Sequence, residues 1–404
     1  MQKANLVNHN HFVSHDAAML NLPFYQPVHL AQIEALEAWC QQQYKTLQKL
    51  AQYDSAEQGK RLIQLLGQAG WLQHLIGQPK EYPADARSLC LCRQTLAYFD
   101  DLLDFAYSIQ SLSGSIIQRF GNEAQRQHYL PGLASGERIA AFALSELQAG
   151  SDVSAIALKA EQQGESYILN GEKAWIAQGD ISDFCVVIAR TDEGPGALGL
   201  SAFIVNTCLP GISSSAIGAI APRSWAHLHF DNVQVSSEAI LGIPGQGFIV
   251  ALEILDRFRM TVAGAAIGFA RRAADVALRH AADRKIYQGR LLDLQLIKAM
   301  LAKMEIKLSA SALLTARAAW MLDQGHPFAK HSAIAKYFAT ENACEIVDDA
   351  VQILGATGVV ANSQLERLYR QIRPLRIYEG SSETLLMNIA SALDAYRLQE
   401  REDL

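Results

Sequence analysis

The chain has 404 residues, 50% of them apolar and 19% charged, with a formal net charge of −6. That is enough apolar material for a large core spread over two or three domains. The acidic balance argues against a nucleic-acid binder, and no apolar run approaches the ~18 residues of a membrane-spanning helix.

Residues 1–16 are polar and His-rich without a hydrophobic signal core, so a cytoplasmic protein is expected. His9, His11 and His15 read as a frayed terminus rather than a metal site. Apolar residues at three- and four-residue spacing predict helices over 31–52, 55–71 and 87–117. Gly67, Gly70, Pro79 and Pro83 punctuate the connections, and a further helix over 123–130 stops at Pro131-Gly132. An all-α domain over 1–138 follows from this pattern.

The pattern then changes. Short β-branched or aromatic stretches at 167–169, 184–190, 200–205 and 228–230 read as strands. Turn signals separate them at Asn170-Gly171, Gly194-Pro195-Gly196, Pro210-Gly211 and Asp231-Asn232. A small β-domain over 139–243, barrel- or sandwich-like, is expected. From 244 to 404 long helices return, with seams such as Leu255, Arg259, Val262, Ala266, Phe269 and Ala273. Such seams suit a four-helix bundle. The expected fold class is therefore α+β, with helical domains on either side of a β-domain. Arg259 places a charge in an apolar seam; either it snorkels at the end of the bundle or it meets a buried anion. The six cysteines lack zinc spacing and read as buried free thiols, and no metal site is expected.

Two stretches carry candidate chemistry. Phe142-Ala143-Leu144-Ser145-Glu146 leads into Gly150-Ser151-Asp152, whose hydroxyls and backbone N–H groups suit an oxygen-rich ligand edge or a capped loop. Trp175, in Trp175-Ile176-Ala177, either stacks on a planar cofactor or fills the core. Near the end stands Ile377-Tyr378-Glu379-Gly380-Ser381-Ser382-Glu383. Gly380 permits positive φ or close approach beside the lone carboxylate of Glu379. Ser382 is placed to cap the following helix, with Glu383 in its first turn.

Taken together, these pieces resemble the acyl-CoA dehydrogenase family across nearly the whole chain. The resemblance also runs through Leu169-Asn170-Gly171-Glu172-Lys173, Leu255-Asp256-Arg257-Phe258-Arg259, Asp283-Arg284-Lys285, Gln295 and Gln352-Ile353-Leu354-Gly355. It implies an FAD enzyme that oxidises an acyl thioester, acyl-CoA, to its 2,3-enoyl form. Glu379 would remove the α-proton while the β-hydrogen leaves as hydride to the flavin. The resemblance places Phe142, Leu144, Ser145, Gly150, Ser151, Trp175, Ile176, Ala177, Ser381 and Glu383 around the flavin. It assigns Arg284, Tyr287, Gln295, Gln352, Gly355 and Ala356 to a neighbouring subunit's flavin, implying a dimer or dimer of dimers. Ser151, Asp256, Phe258, Arg259 and Gly380 match substrate-contacting positions.

Electrons would pass to an electron-transfer flavoprotein. Alternatives are an acyl group held on a carrier protein, or an oxidase that uses oxygen. Nucleic-acid-binding relatives of the fold sit poorly with the acidic total and with Glu379. A degenerate member is suggested by Ala177, which stands where the family has a hydroxyl near flavin N5. Ala356 for Gly and Gln371 for an acidic residue are further departures.

Overall fold

The computed structural model describes residues 13–76, 85–191, 194 and 196–402, with side chains described as far as residue 393. His9, His11, Pro79, Pro83 and Pro195 lie outside the described residues. The chain opens with helices α1 (Ala17–Leu20), α2 (Pro27–Leu50), α3 (Ser55–Gln68), α4 (Ala86–Phe99), α5 (Leu103–Phe120) and α6 (Glu123–Ser135). Helix α2 starts at Pro27, where a missing N–H costs nothing. Helix α3 is capped by Asp54, whose side chain accepts from Ala56 N and Glu57 N.

The continuous helix expected over 87–117 is two helices. Asp100 takes the N–H groups of Leu102 and Leu103 at 2.9 and 3.0 Å, replacing the bonds a continuous helix would make. Asp101 then pairs with Arg272 and Arg367, tying the break to the C-terminal helices. Conversely, α6 does not stop at Pro131-Gly132 but runs on to Ser135. Pro131 forfeits a single N–H, while Leu133 and Ala134 bury in the core and Gly136, at φ 73, closes the helix in the left-handed conformation.

The strands are β1 (Ala140–Ala143), β2 (Lys159–Gln163), β3 (Ser166–Ala177), β4 (Phe184–Arg190), β5 (Leu200–Asn206), β6 (Ile212–Ala216), β7 (Trp225–Ser236) and β8 (Ile240–Leu241). They form one sheet in the order β6-β7-β3-β2-β4-β5-β8, with β1 parallel to β4. Strands β3 and β7 are each 12 residues long, well beyond the short stretches the sequence marks. Their inward residues Tyr167, Leu169, Leu228 and Phe230 are buried, while the intervening polar residues hide the rest of each strand from a hydrophobicity reading.

Helix α7 (Gly247–Asp283) leads into a small hairpin of β9 (Lys285–Ile286) and β10 (Gly289–Arg290), then α8 (Gln295–Asp323), α9 (Ala329–Leu354), α10 (Gln364–Ile372) and α11 (Ser382–Glu402). Two glycines let α4 lie backbone to backbone on α7. A Cβ at Gly264 would sit 2.4 Å from Cys90 O, and one at Gly268 would sit 2.2 Å from Gln94 O. Ala86, Cys90 and Ala97 of α4 accordingly share one apolar core with α7, α8 and α9. The N-terminal helices and the bundle are thereby joined at the position where the site forms.

Two smaller expectations change. Cys40, Cys90, Cys92 and Cys185 are buried free thiols, but Cys208, in the turn after β5, is exposed and Cys344 is half-buried. His15 is no frayed residue: it is buried, its Nε2 lies 2.9 Å from Thr95 Oγ1, and burial lowers its pKa to about 3, so it is neutral. Among the described residues no helix is long and apolar enough to cross a membrane.

Candidate active site

The segment between α10 and α11 turns sharply after Pro374, whose carbonyl accepts from Ile377 N and Tyr378 N at 2.9 and 3.1 Å. Glu379 then adopts φ 53 and Gly380 φ 96. A left-handed glutamate is uncommon and marks a constrained position. Gly380 must be glycine for its φ, and a Cβ there would also crowd Leu385 Cδ2 at 3.2 Å. Ser381, not Ser382, caps α11: Ser381 Oγ accepts from Thr384 N at 3.2 Å, whereas Ser382 Oγ turns away and donates to Glu341.

This turn leaves Glu379 Oε2 buried and without a hydrogen-bond partner. Burial pushes the Glu379 carboxyl above its ordinary pKa, and Arg93, Lys336 and Arg259 pull it back. Arg259 resolves its two alternatives in favour of an anion. The residue is 5% exposed; its guanidinium pairs with Asp256 one turn earlier and donates from Nε to Glu379 O at 3.2 Å. From α9, Lys336 donates to Gly380 O at 2.6 Å. From α4, the buried Arg93 is bidentate with Asp104 of α5 at 2.8 and 3.0 Å.

Near Glu379 lies the 142–151 loop, pinned at Ser145 and Glu146. Ser145 O accepts from Ala174 N at 2.8 Å. The Glu146 carboxylate accepts from Ala157 N, Leu158 N and Lys173 Nζ at 2.7, 3.0 and 2.7 Å. Lys173 is fully buried and also donates to Leu144 O at 2.9 Å; burial lowers its pKa to about 8 while Glu146 opposes that shift. Hydroxyls then bridge the two loops. Thr384 Oγ1 donates to Ser151 Oγ at 3.2 Å and lies 3.1 Å from Ser381 Oγ.

The ring of Trp175 is not core. A register shift between Lys173 and Ile176, with Trp175 at φ 61, turns its side chain outward to 53% exposure while Lys173 points in. Gly150, in the 142–151 loop, faces open space, since a Cβ there would meet nothing within 4 Å. An exposed indole, half-buried Phe142 and a rim of hydroxyls fit a planar ring with heteroatoms on its edge, as a flavin has.

The side chains of the other expected residues are placed differently. Leu144, Ile176 and Phe258 have side chains buried in the apolar core. Glu383 is exposed on the first turn of α11, and Ala177 offers no hydroxyl. Arg284, Tyr287 and Gln295 gather, exposed, around the β9–β10 hairpin, about 37 Å along α7 from Arg259 at 1.5 Å per residue. Gln352, Gly355 and Ala356 are likewise exposed where α9 ends.

Sequence reasoning missed Lys336, the Arg93–Asp104 pair and Thr384, and gave Glu146 and Lys173 no separate role. It also missed Arg223, which is buried and donates to Gln371 Oε1 and O at 2.7 and 3.0 Å and to the Tyr378 hydroxyl at 3.3 Å. The available signal was a lysine or arginine within an apolar run, as in Ala335-Lys336-Tyr337-Phe338-Ala339.

The chain matches three family descriptions in sequence. They are the acyl-CoA dehydrogenase N-terminal domain over residues 27–137, the middle domain over 141–233 and the C-terminal domain over 245–393. It is 38% identical over 348 residues to a 3-(aryl)acrylate reductase of Clostridium sporogenes, covering 84% of this chain and 91% of that one. It is 35% identical over 314 residues to the caffeyl-CoA reductase-Etf complex subunit CarC of Acetobacterium woodii, covering 76% of this chain and 83% of that one. The solved butyryl-CoA dehydrogenase of Megasphaera elsdenii superposes with a TM-score of 0.84 at 28% identity, over 91% of this chain and 98% of that one.

Proposed function

The chain belongs to the acyl-CoA dehydrogenase family of FAD-dependent oxidoreductases acting on CH–CH bonds, and on that premise we propose that Glu379 is the base that removes the proton α to an acyl-CoA carbonyl. The observation that carries this reading is the open, buried Oε2 of Glu379 in a loop held at positive φ. A carboxylate dried in this way is a stronger base than in water, and its vacant acceptor position is where a C–H acid would approach. The Glu379 N–H has no acceptor among the described residues, so it can donate to the thioester oxygen as negative charge develops there.

Bound FAD supplies the acceptor for the β-hydride. Trp175 would pack on its ring, and Ser145, Ser151, Ser381 and Thr384 line the polar rim. The Glu146–Lys173 pair holds the loop that carries Ser145 and Ser151. Arg259 and Asp256, next to the base, would orient the thioester arm. Arg284, Tyr287, Gln295, Gln352, Gly355 and Ala356 would reach the cofactor of a second copy, a reading supported by their exposure. A monomer that holds FAD as tightly as the assembled protein would refute that arrangement.

The test is anaerobic mixing of flavin-loaded protein with a panel of acyl-CoA thioesters. Wild type should bleach its flavin, and Glu379→Gln should do so about 10²–10⁴-fold more slowly. Bleaching that survives the substitution moves the base elsewhere. Activity with a carrier-protein thioester but with no CoA ester would favour the carrier alternative. Rapid reoxidation by air would favour an oxidase over transfer to an electron-transfer flavoprotein.

A second reading is that the same site runs in reverse, reducing a 2,3-enoyl thioester with Glu379 returning the α-proton. It is favoured by the names of the Clostridium and Acetobacterium relatives, a reductase and a reductase–Etf subunit. Reoxidation of the reduced enzyme by an aryl acrylyl-CoA faster than by crotonyl-CoA would support it, and no reaction with either would remove it.

A further inference from the structure

Two consecutive carbonyls of the base's own loop are each held by a cation from a different helix. Arg259 on α7 donates to Glu379 O and Lys336 on α9 donates to Gly380 O, at 3.2 and 2.6 Å. Both carbonyls belong to residues at positive φ, 53 and 96, and the two donors hold that backbone from outside the loop.

The three cations near Glu379 differ in how they are neutralised. Arg93 is bidentate with Asp104, and Arg259 is paired with Asp256. Lys336 is fully buried, and its bond to Gly380 O is to a neutral acceptor, with no carboxylate at ion-pair distance among the described residues. The charged groups that face it are Glu379, Arg259, Glu341 and Glu383. Glu341 is committed to Arg376 and Ser382, and Glu383 lies in solvent on the first turn of α11. The negative charge left to balance the Lys336 ammonium is Glu379.

We propose that Lys336 is a positioning residue for Glu379, whose ammonium fixes the Gly380 carbonyl and supplies the unneutralised positive charge that keeps the base ionised in its dry pocket. This assignment rests on Glu379 being the base. Burial pushes the Glu379 carboxyl up, Arg93, Lys336 and Arg259 pull it down, and Asp104 works against Arg93. Burial lowers Lys336 itself to about 8, so it carries its proton below that pH.

The test uses the flavin-loaded protein with Lys336→Met, which keeps an apolar stem, and Lys336→Arg, which restores a cation. Glu379 is titrated through its infrared carboxyl band, taken as a difference against Glu379→Gln. Lys336→Met should raise that titration by about one pH unit or more. The acid limb of anaerobic flavin reduction should move with it, and Lys336→Arg should bring both back. A merely structural lysine would depress the rate at every pH and leave the carboxyl titration where it was; that result overturns the proposal.

A reciprocal measurement does not need Lys336→Met to fold. Coupling between two sites is equal in both directions, so Glu379→Gln should lower the Lys336 titration, read by NMR of ε-13C lysine, by the same amount. An unmoved Lys336 signal also overturns the proposal. Should Glu379→Gln keep wild-type flavin reduction, the base reading fails, while the two titrations still report on the coupling.

Discussion

Two lysines lie fully buried beneath the two loops of the site, and each donates to a backbone carbonyl: Lys173 to Leu144 O and Lys336 to Gly380 O. Burial lowers each to about 8. They differ in their anions. Lys173 has a carboxylate of its own, Glu146 at 2.7 Å, which also ties down Ala157 N and Leu158 N. Lys336 has only the field of an acid left without a partner. Beneath the 142–151 loop the charge is closed on itself and serves rigidity, whereas beneath the Glu379 turn it is left open toward the carboxyl proposed to exchange a proton.

The largest effect should come from breaking the closed pair. Lys173→Met leaves Glu146 buried beside no cation and should cost about 3–5 kcal/mol in urea unfolding, with loss of retained flavin. Lys173→Met combined with Glu146→Gln should recover much of that stability. Lys336→Met strands no carboxylate hydrogen-bonded to it and removes one donor from Gly380 O, so its stability loss should be smaller, about 1–3 kcal/mol. Equal losses for the two single variants would erase the distinction drawn between them.

The next expectation concerns pH. Lys336 binds its proton less tightly folded than unfolded, so between about pH 8 and 10.5 the unfolded chain holds more protons and this lysine adds stability as pH rises. Below pH 8 that contribution is lost, because the folded state must then bury the charge. Wild type should therefore gain stability over Lys336→Met across this window. Comparing the two proteins cancels the buried thiols and tyrosines, which titrate in the opposite sense. Parallel stability–pH curves would mean that Lys336 is not the buried cation its surroundings suggest.

The sequence carried much of the site and less of its support. Glu379, Gly380 and the 142–151 loop were legible because short contiguous motifs hold them. Lys336 was not, because it meets Gly380 across 44 residues and reads in sequence as a polar break in a helix seam. The cap was assigned to Ser382 rather than Ser381 because two adjacent hydroxyls look alike until two positive φ values set the register of the turn. Trp175 stayed open between core and platform because an irregularity in β3–β7 pairing decides its direction, and pairing is not a local property. The break at Asp100 and the continuation through Pro131 show the same limit. In each case a side-chain bond or a buried contact outweighed the residue's ordinary preference.

The smallest predicted effect extends the comparison to an arginine. Arg223 is 3% exposed and lies over the Phe105 ring at 5.0 Å, yet its hydrogen-bond acceptors are all neutral: the amide and carbonyl oxygens of Gln371 and the Tyr378 hydroxyl. Glu is nearly isosteric with Gln, so Gln371→Glu keeps the 2.7 Å bond and adds a counter-charge to a cation already buried. A hydrogen bond between charged groups exceeds a neutral one by about 1 kcal/mol, so the melting midpoint should rise by about 1–2 °C. The added charge lies next to Tyr378, so the Glu379 titration should also move up slightly, opposite in sign to the effect of Lys336. A falling midpoint would show that the second carboxylate costs more by repelling Glu379 than it gains from Arg223. The region around Glu379 would then tolerate unbalanced positive charge because any further negative charge competes with that buried carboxyl.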